Sequence, residues 1–173
     1  MEFVIPGLIL VALMVYASTR IKKSAARAFD QERVEDARFI LVKPEGFLHK
    51  INGVDPGFIF QAYSKEFGIG DADNTRRATI DMRIITDKKF EDVCAEAADG
   101  SENVIERKGL EVSGFRTWSI EGERAVDGRA MVVHSLVVDA GEEVFLLRSA
   151  VLAENNNEFI SKIDEMEDSL ELR

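Results

Sequence analysis

The side chains of this chain that could do chemistry are few: two histidines, one cysteine, and a scatter of acids and serines. A zinc site needs three or four ligands at suitable spacing, and two distant histidines with one cysteine do not supply it. His134 follows Met131-Val132-Val133 in a run that reads as a strand, so it is expected to be packed. His49 stands beside Lys50 and is expected at the surface. Cys94 falls among Phe90, Val93 and Ala97 on one apolar face. With no basic group placed to lower its pKa, it reads as a small buried hydrophobe and not as a nucleophile.

The segments "DADN" at 71–74 and "DGSEN" at 99–103 have the acid density of calcium loops without their pattern. An EF-hand needs glycine at its sixth position and a bidentate glutamate at its twelfth. Counted from Asp71 these positions are Arg76 and Met82; counted from Asp99 they are Val104 and Leu110. Both segments are expected to be turns. "GIG" at 68–70 lacks the third glycine and the strand–helix setting of a dinucleotide site. Ser64 and Ser135 sit in no glycine elbow and have no evident Asp/His partners. The paired acids Glu142-Glu143 and Asp164-Glu165 fall on a turn and on the outer face of the last helix, with no apolar pocket to raise a carboxyl pKa. No catalytic residue, cofactor or metal ligand is assigned. Trp118 is the most informative single residue. It shares a strand face with Arg116 and Ile120. Packed, it is core; exposed, it is the candidate anchor for a protein partner.

These residues need elements to hold them. "RFILVKP" is a short β-rich run, and "GFIFQAYS" sets Phe58, Phe60 and Ala62 against Ile59, Gln61 and Tyr63. "ATIDMRII" sets Ile80, Met82 and Ile84 against Thr79, Asp81 and Arg83, a half-buried strand. The period then changes. Phe90, Val93, Cys94 and Ala97 form one helical stripe closed by Gly100. Three strands follow, "GFRTWSIEG", "RAMVVHSLVVD" and "VFLLRSAVL", with Asp127-Gly128 and "DAGEE" as turns, an antiparallel meander. In the final helix Phe159, Ile163, Met166 and Leu170 make the apolar stripe. The expected fold class is α+β, a largely antiparallel sheet with packed helices.

Ahead of these elements, residues 3–19 carry no charge and are almost all apolar. As a helix this run is about 25 Å long, at the short end for a hydrocarbon core of about 30 Å. Only Met1 and Glu2 precede it, while Arg20, Lys22, Lys23 and Arg27 follow, the reverse of a cleavable signal. The expectation is a permanent transmembrane anchor over 1–19, a basic juxtamembrane stalk over 20–37 (helical, or else a flexible linker), and one globular domain over 38–173. By the positive-inside rule Arg20, Lys22, Lys23 and Arg27 contact the inner face of the lipid bilayer, which places the domain in the cytoplasm at the cell inner membrane. Cleavage at Val15-Tyr16-Ala17, leaving an exported periplasmic domain, is the alternative.

The formal net charge is -10. Residues 1–37 carry five basic and five acidic side chains, so 17 basic and 27 acidic ones remain in residues 38–173. An acidic globule is repelled by phosphate backbones, so nucleic acid is excluded as a partner. With a single cysteine no intramolecular disulfide forms.

The order of elements over 38–172 resembles the PsbP-like fold, named for the extrinsic oxygen-evolving protein of photosystem II and shared by a Ran-binding nuclear-import factor and various bacterial proteins. The carriers are "KPEGF" after a first strand, "FQAYSKEF" as the next, "ATIDMRII" before the helix "KFEDVCAEAAD", and the ending "EEVFLLRSAVLAENNNEFISKIDEMEDSLEL". In that ending "DSLEL" stands where a Ser-aromatic-basic sequence is common. "GIGDADNT" and residues 100–114 do not follow the pattern. The resemblance implies a non-catalytic protein that binds or helps assemble larger protein complexes, and it transfers no functional residues.

Two functions are therefore expected. The first is a non-catalytic, membrane-anchored protein-binding or complex-assembly module with a protein partner. The alternative is a small-ligand binder or enzyme acting at the membrane surface, which needs a cavity of a few hundred Å³ holding a shifted carboxylate or histidine.

Overall fold

The computed structural model describes residues 4–51, 53–64 and 76–173. The turn reading at "DADN" and the "GIG" triplet lie outside the described residues.

Helix α1 (Val4–Arg27) comes first. No helix among the described residues is long and apolar enough to cross a membrane. This corrects the expected transmembrane anchor, the lipid-bilayer partner and the inner-membrane placement with its cytoplasmic domain. The reason lies in the composition of α1. Its uncharged stretch stops at Thr19, short of the roughly 20 apolar residues that a span takes, and Arg20, Lys22 and Lys23 occupy the next turn. Small and hydroxylated residues (Ala12, Ala17, Ser18, Thr19) dilute it further; Thr19 turns its hydroxyl back to donate to the Val15 carbonyl at 2.8 Å.

α1 ends at Arg27, and strand β1 (Glu32–Glu35) follows, so the segment read as a stalk contributes to a sheet. Only Val34 of β1 reaches the core, which is why no strand alternation shows there. β1, β2 (Phe39–Lys43) and β10 (Glu171–Leu172) form a small antiparallel sheet in the order β1-β2-β10. Lys43, at the end of β2, is fully buried. Its ammonium donates to the carbonyls of Ala28 at 3.3 Å, Asp30 at 2.5 Å and Phe47 at 2.8 Å, using all three protons to tie the chain after α1 to the domain.

The main sheet has seven strands in the order β3-β4-β5-β9-β8-β7-β6. They are β3 (Phe47–His49), β4 (Phe60–Ser64), β5 (Ala78–Ile85), β6 (Asn103–Val112), β7 (Phe115–Val126), β8 (Arg129–Asp139) and β9 (Val144–Leu152), all paired antiparallel. From β6 the chain runs as a meander back to β9, which closes against β5. Ser113-Gly114 joins β6 to β7 and Asp127-Gly128 joins β7 to β8. All four residues have positive φ, as tight two-residue hairpins require.

This order forces a crossing. After β5 the chain must reach the far edge, β6, past β9, β8 and β7. Helix α2 (Phe90–Asp99) makes that crossing and packs on those three strands. α3 (Asn156–Asp168) packs on the opposite face with β2. The larger core lies on the α3 side: Phe47, Phe60, Ile80, Met82, Leu147, Phe159, Ile163 and Met166 meet there. A smaller core lies under α2, where Phe90 and Val93 meet Ile120, Val137, Val144 and Leu146.

Candidate functional site

The site is built by α2 and the sheet beneath it. α2 is too narrow to cover the face it crosses, so a depression opens along each flank. On the β6–β7 flank lies a groove of about 270 Å³ lined by Phe90, Glu91, Cys94, Ala95, Arg107, Arg116, Trp118 and Ile120. Strand alternation puts Arg116, Trp118 and Ile120 on this one face of β7. Their cross-strand partners on β6 are Glu111, Gly109 and Arg107. Gly109 decides the groove's character. It stands opposite Trp118 and has no side chain, and a Cβ there would meet nothing within 4 Å. The indole therefore lacks a neighbour on the edge side and stays 37% exposed.

The rim is held by charge. The Arg116 guanidinium lies 4.1 Å from the centre of the Phe90 ring, donates to Glu91 at 2.7 Å and to Asp139 at 3.1 Å. This arrangement fixes one wall. Arg107, on the other wall, is exposed and has no ion-pair partner among the described residues. Cys94 lies at the bottom edge. Burial, aided by the Glu91 charge, pushes its thiol pKa up to about 11, so it is a thiol at neutral pH and a poor nucleophile.

On the other flank, toward β5, lies a pocket of about 320 Å³ whose lining includes Arg83, Arg124 and Arg148. It has the volume expected of a ligand cavity, but no histidine lines it.

No protein-family model matches the sequence, and no curated protein matches it either. Solved structures do match in shape. CyanoP, the cyanobacterial PsbP of Synechocystis sp. PCC 6803, superposes with a TM-score of 0.57 at 12% identity, covering 84% of this chain and 94% of its own. LpqN of Mycobacterium tuberculosis, involved in cell envelope biogenesis, gives 0.56 at 13% identity over 83% and 90%. The Ran-binding protein Mog1p of Saccharomyces cerevisiae gives 0.53 at 10% identity over 83% and 96%. The fold is PsbP-like. At these identities the likeness is one of fold alone.

The PsbP-like frame scatters the other residues singled out in the sequence. His49 is on β3 and His134 on β8, with β4, β5 and β9 between them. Contrary to expectation His49 is half-buried, because its ring packs on Phe60 at 5.0 Å; burial lowers its pKa despite Glu32 at 3.9 Å. His134 is buried on the α3 face opposite Ser149. Among the described residues no group of three or more His, Cys, Asp or Glu could hold a metal. Ser64 is structural, its hydroxyl accepting from the Ala78 N–H at 2.9 Å. Arg20, Lys22, Lys23 and Arg27 are exposed on α1.

Sequence reasoning missed Gly109, β6 and the arginine pocket. The Ser113-Gly114 pair could have flagged the β6–β7 hairpin. It also missed Glu167, on α3. Part of Glu167 is exposed, yet burial of its carboxyl, with Asp164 and Asp168 beside it, pushes its pKa up to about 8.

Proposed function

We propose that this chain is a non-catalytic protein-binding module whose docking surface is the groove between α2 and the β6–β7 edge. Trp118 is the anchor. The single observation that carries this reading is the pairing of Trp118 with Gly109, which leaves a large aromatic face open at the rim of an apolar groove. Tryptophan and arginine are the side chains that most often dominate binding energy, and here they stand side by side. The partner is a protein presenting an apolar side chain to the indole and an acidic group to Arg107. A thiol held neutral and one wall locked by ion pairs suit binding and offer no nucleophile or general base. The fold likeness to a Ran-binding protein supports the same class of function.

A photo-reactive amino acid in place of Ala95, exposed on the α2 wall of the groove, with a control in place of Glu142 in the turn between β8 and β9, tests this in cells. The expected result is one defined protein adduct from the groove position only. It should disappear in Trp118→Ala and persist in Trp118→Phe. Equal adducts at both positions, no adduct, or an adduct indifferent to Trp118→Ala would overturn the reading.

A further inference from the structure

The arginine pocket on the other flank of α2 is independent of the groove. Its walls come from three strands and the helix. Arg83 is on β5, Arg148 on β9 and Arg124 on β7, and alternation turns all three toward the α2 face of the sheet. Ser135 and Val133 of β8 form the floor between them, and Ala97 of α2 with Gly100 just past its end the roof.

The charges do not balance. Arg148 is satisfied: it donates to one oxygen of Asp81 from Nε at 3.3 Å and from Nη2 at 3.1 Å. Lys88 at the rim is satisfied by both oxygens of Glu96, at 2.6 and 2.8 Å. Asp87 is exposed at the same rim. Arg83 and Arg124 are different. Each has its Nε buried without a hydrogen-bond partner. Neither guanidinium has an ion-pair partner among the described residues, although the Arg83 head lies 5.1 Å from the centre of the Phe58 ring. A protein with a net charge of -10 thus brings two guanidiniums without an ion-pair partner to one half-buried cavity, where Asp81, already bonded to Arg148, acts on Arg124 only at longer range and Asp87 lies out at the exposed rim. The C-terminal end of α2 contributes about half a negative charge nearby, too little to offset two full cations. An unpaired buried donor is costly and is retained where something else accepts from it.

We propose that this pocket binds a small anionic ligand through a phosphoryl group, with Arg83 and Arg124 as its two donors and Arg148, fixed by Asp81, as the support behind them. Guanidinium forks match the oxygens of a phosphoryl group two at a time. A dianion neutralises the two unpaired arginines, which a single carboxylate does not. The cavity, about 320 Å³, accepts a small phosphorylated molecule and is too narrow for a nucleic-acid backbone, which the acidic surface around it also repels. Ser135, buried at the floor, offers a hydroxyl to a third oxygen.

The test follows the Nε–H signals of arginine in the full chain by NMR during titration with inorganic phosphate, glycerol phosphate and succinate, with sodium chloride at matched ionic strength as the reference. Saturable shifts of the Arg83 and Arg124 signals with both phosphates, weaker with succinate, are expected. Arg124→Gln should weaken binding about tenfold, the loss of one charge-assisted pair, and Arg83→Gln with Arg124→Gln should abolish it. Because Arg124 is a desolvated cation beside Arg148, Arg124→Gln should leave the melting temperature unchanged or raised. That outcome separates a binding residue from a structural one. Shifts no larger than those from chloride, stronger saturation by succinate, binding that survives the double substitution, or unfolding of Arg124→Gln would each overturn the proposal.

Discussion

One face of the seven-stranded sheet is sealed and the other is half covered, though both are made by the same strands. On the sealed face α3 and β2 lie over an apolar layer from Phe47 to Leu147, and the side chains interlock, as in the edge-to-face contact of Phe47 with Phe159 at 5.5 Å. On the half-covered face α2 closes only over Ile120, Val137, Val144 and Leu146. The remainder of that face carries Asp81, Arg83, Arg116, Trp118, Arg124 and Arg148 beside a small buried cluster of Met131, Val133, Ala150 and Leu152. Successive residues of each strand point to opposite faces, so β5 gives Ile80 and Met82 to one layer and Asp81 and Arg83 to the other. The division of labour follows from the pleat. Stability is concentrated where apolar area is fully removed from water, and recognition where one crossing helix is too narrow to finish the job.

The sharpest way to break this contrast is a truncation on the sealed face. Phe159→Ala should cost about 3–5 kcal/mol, the usual range for removing a buried phenylalanine, and urea denaturation measures it. Phe159 is buried, lies against Phe47 and carries Lys162 over its ring at 5.6 Å, so little can collapse into the space. A cost under about 1 kcal/mol, within the range of surface changes, would mean that stability does not reside on this side.

Glu167 tests the same face by pH. Its carboxyl pKa is raised by burial from the ordinary 4.5 to about 8, and it lies near the C-terminal end of α3, where a negative charge is unfavourable. The native state therefore holds a proton that the unfolded chain releases. Stability from this group is present below the unfolded pKa and is lost as pH rises from about 4.5 through 8. Glu167→Gln should flatten that decline, so its advantage over the wild type in melting temperature grows between pH 5 and pH 8. An advantage independent of pH would place the carboxylate in water.

What was legible in the sequence follows the same contrast. β4, β5 and helices α2 and α3 each bury one stripe against a core, and a buried stripe leaves a period; β8, buried on both faces, reads instead as a continuous apolar run. β6 buries almost nothing on either side, and its charges Glu106, Arg107, Lys108 and Glu111 erase any alternation. β10 is two residues long, too short to show a period, and Leu170, expected in the last helix, falls just beyond α3. Trp118 stood out because its size and type are informative without neighbours. The arginine pocket did not, because Arg83, Arg124 and Arg148 are far apart in the chain. Only the register that sets Asp81 opposite Arg148, with β7 two strands further on, brings them together. The membrane reading failed for a related reason. Charge order around an apolar run speaks to orientation, but crossing needs length, and α1 turns basic before it has enough.

The smallest stability effect is expected at Trp118, and its smallness is the point. With the indole 37% exposed and no neighbour across the strand, Trp118→Ala should lower stability by only about 1 kcal/mol, well below a core aromatic. A complementary change fills the groove instead of emptying it. Gly109→Val adds a β-branched side chain at the one β6 position opposite the indole, where space is open, and should hold or raise the melting temperature. If the groove is a docking surface, both variants lose the crosslinked partner, one by removing the anchor and the other by covering it. A Trp118→Ala cost of about 3 kcal/mol or more would instead make the indole a core residue. Loss of the partner in Trp118→Ala with full retention in Gly109→Val would show that the edge side of the ring is not the face that binds.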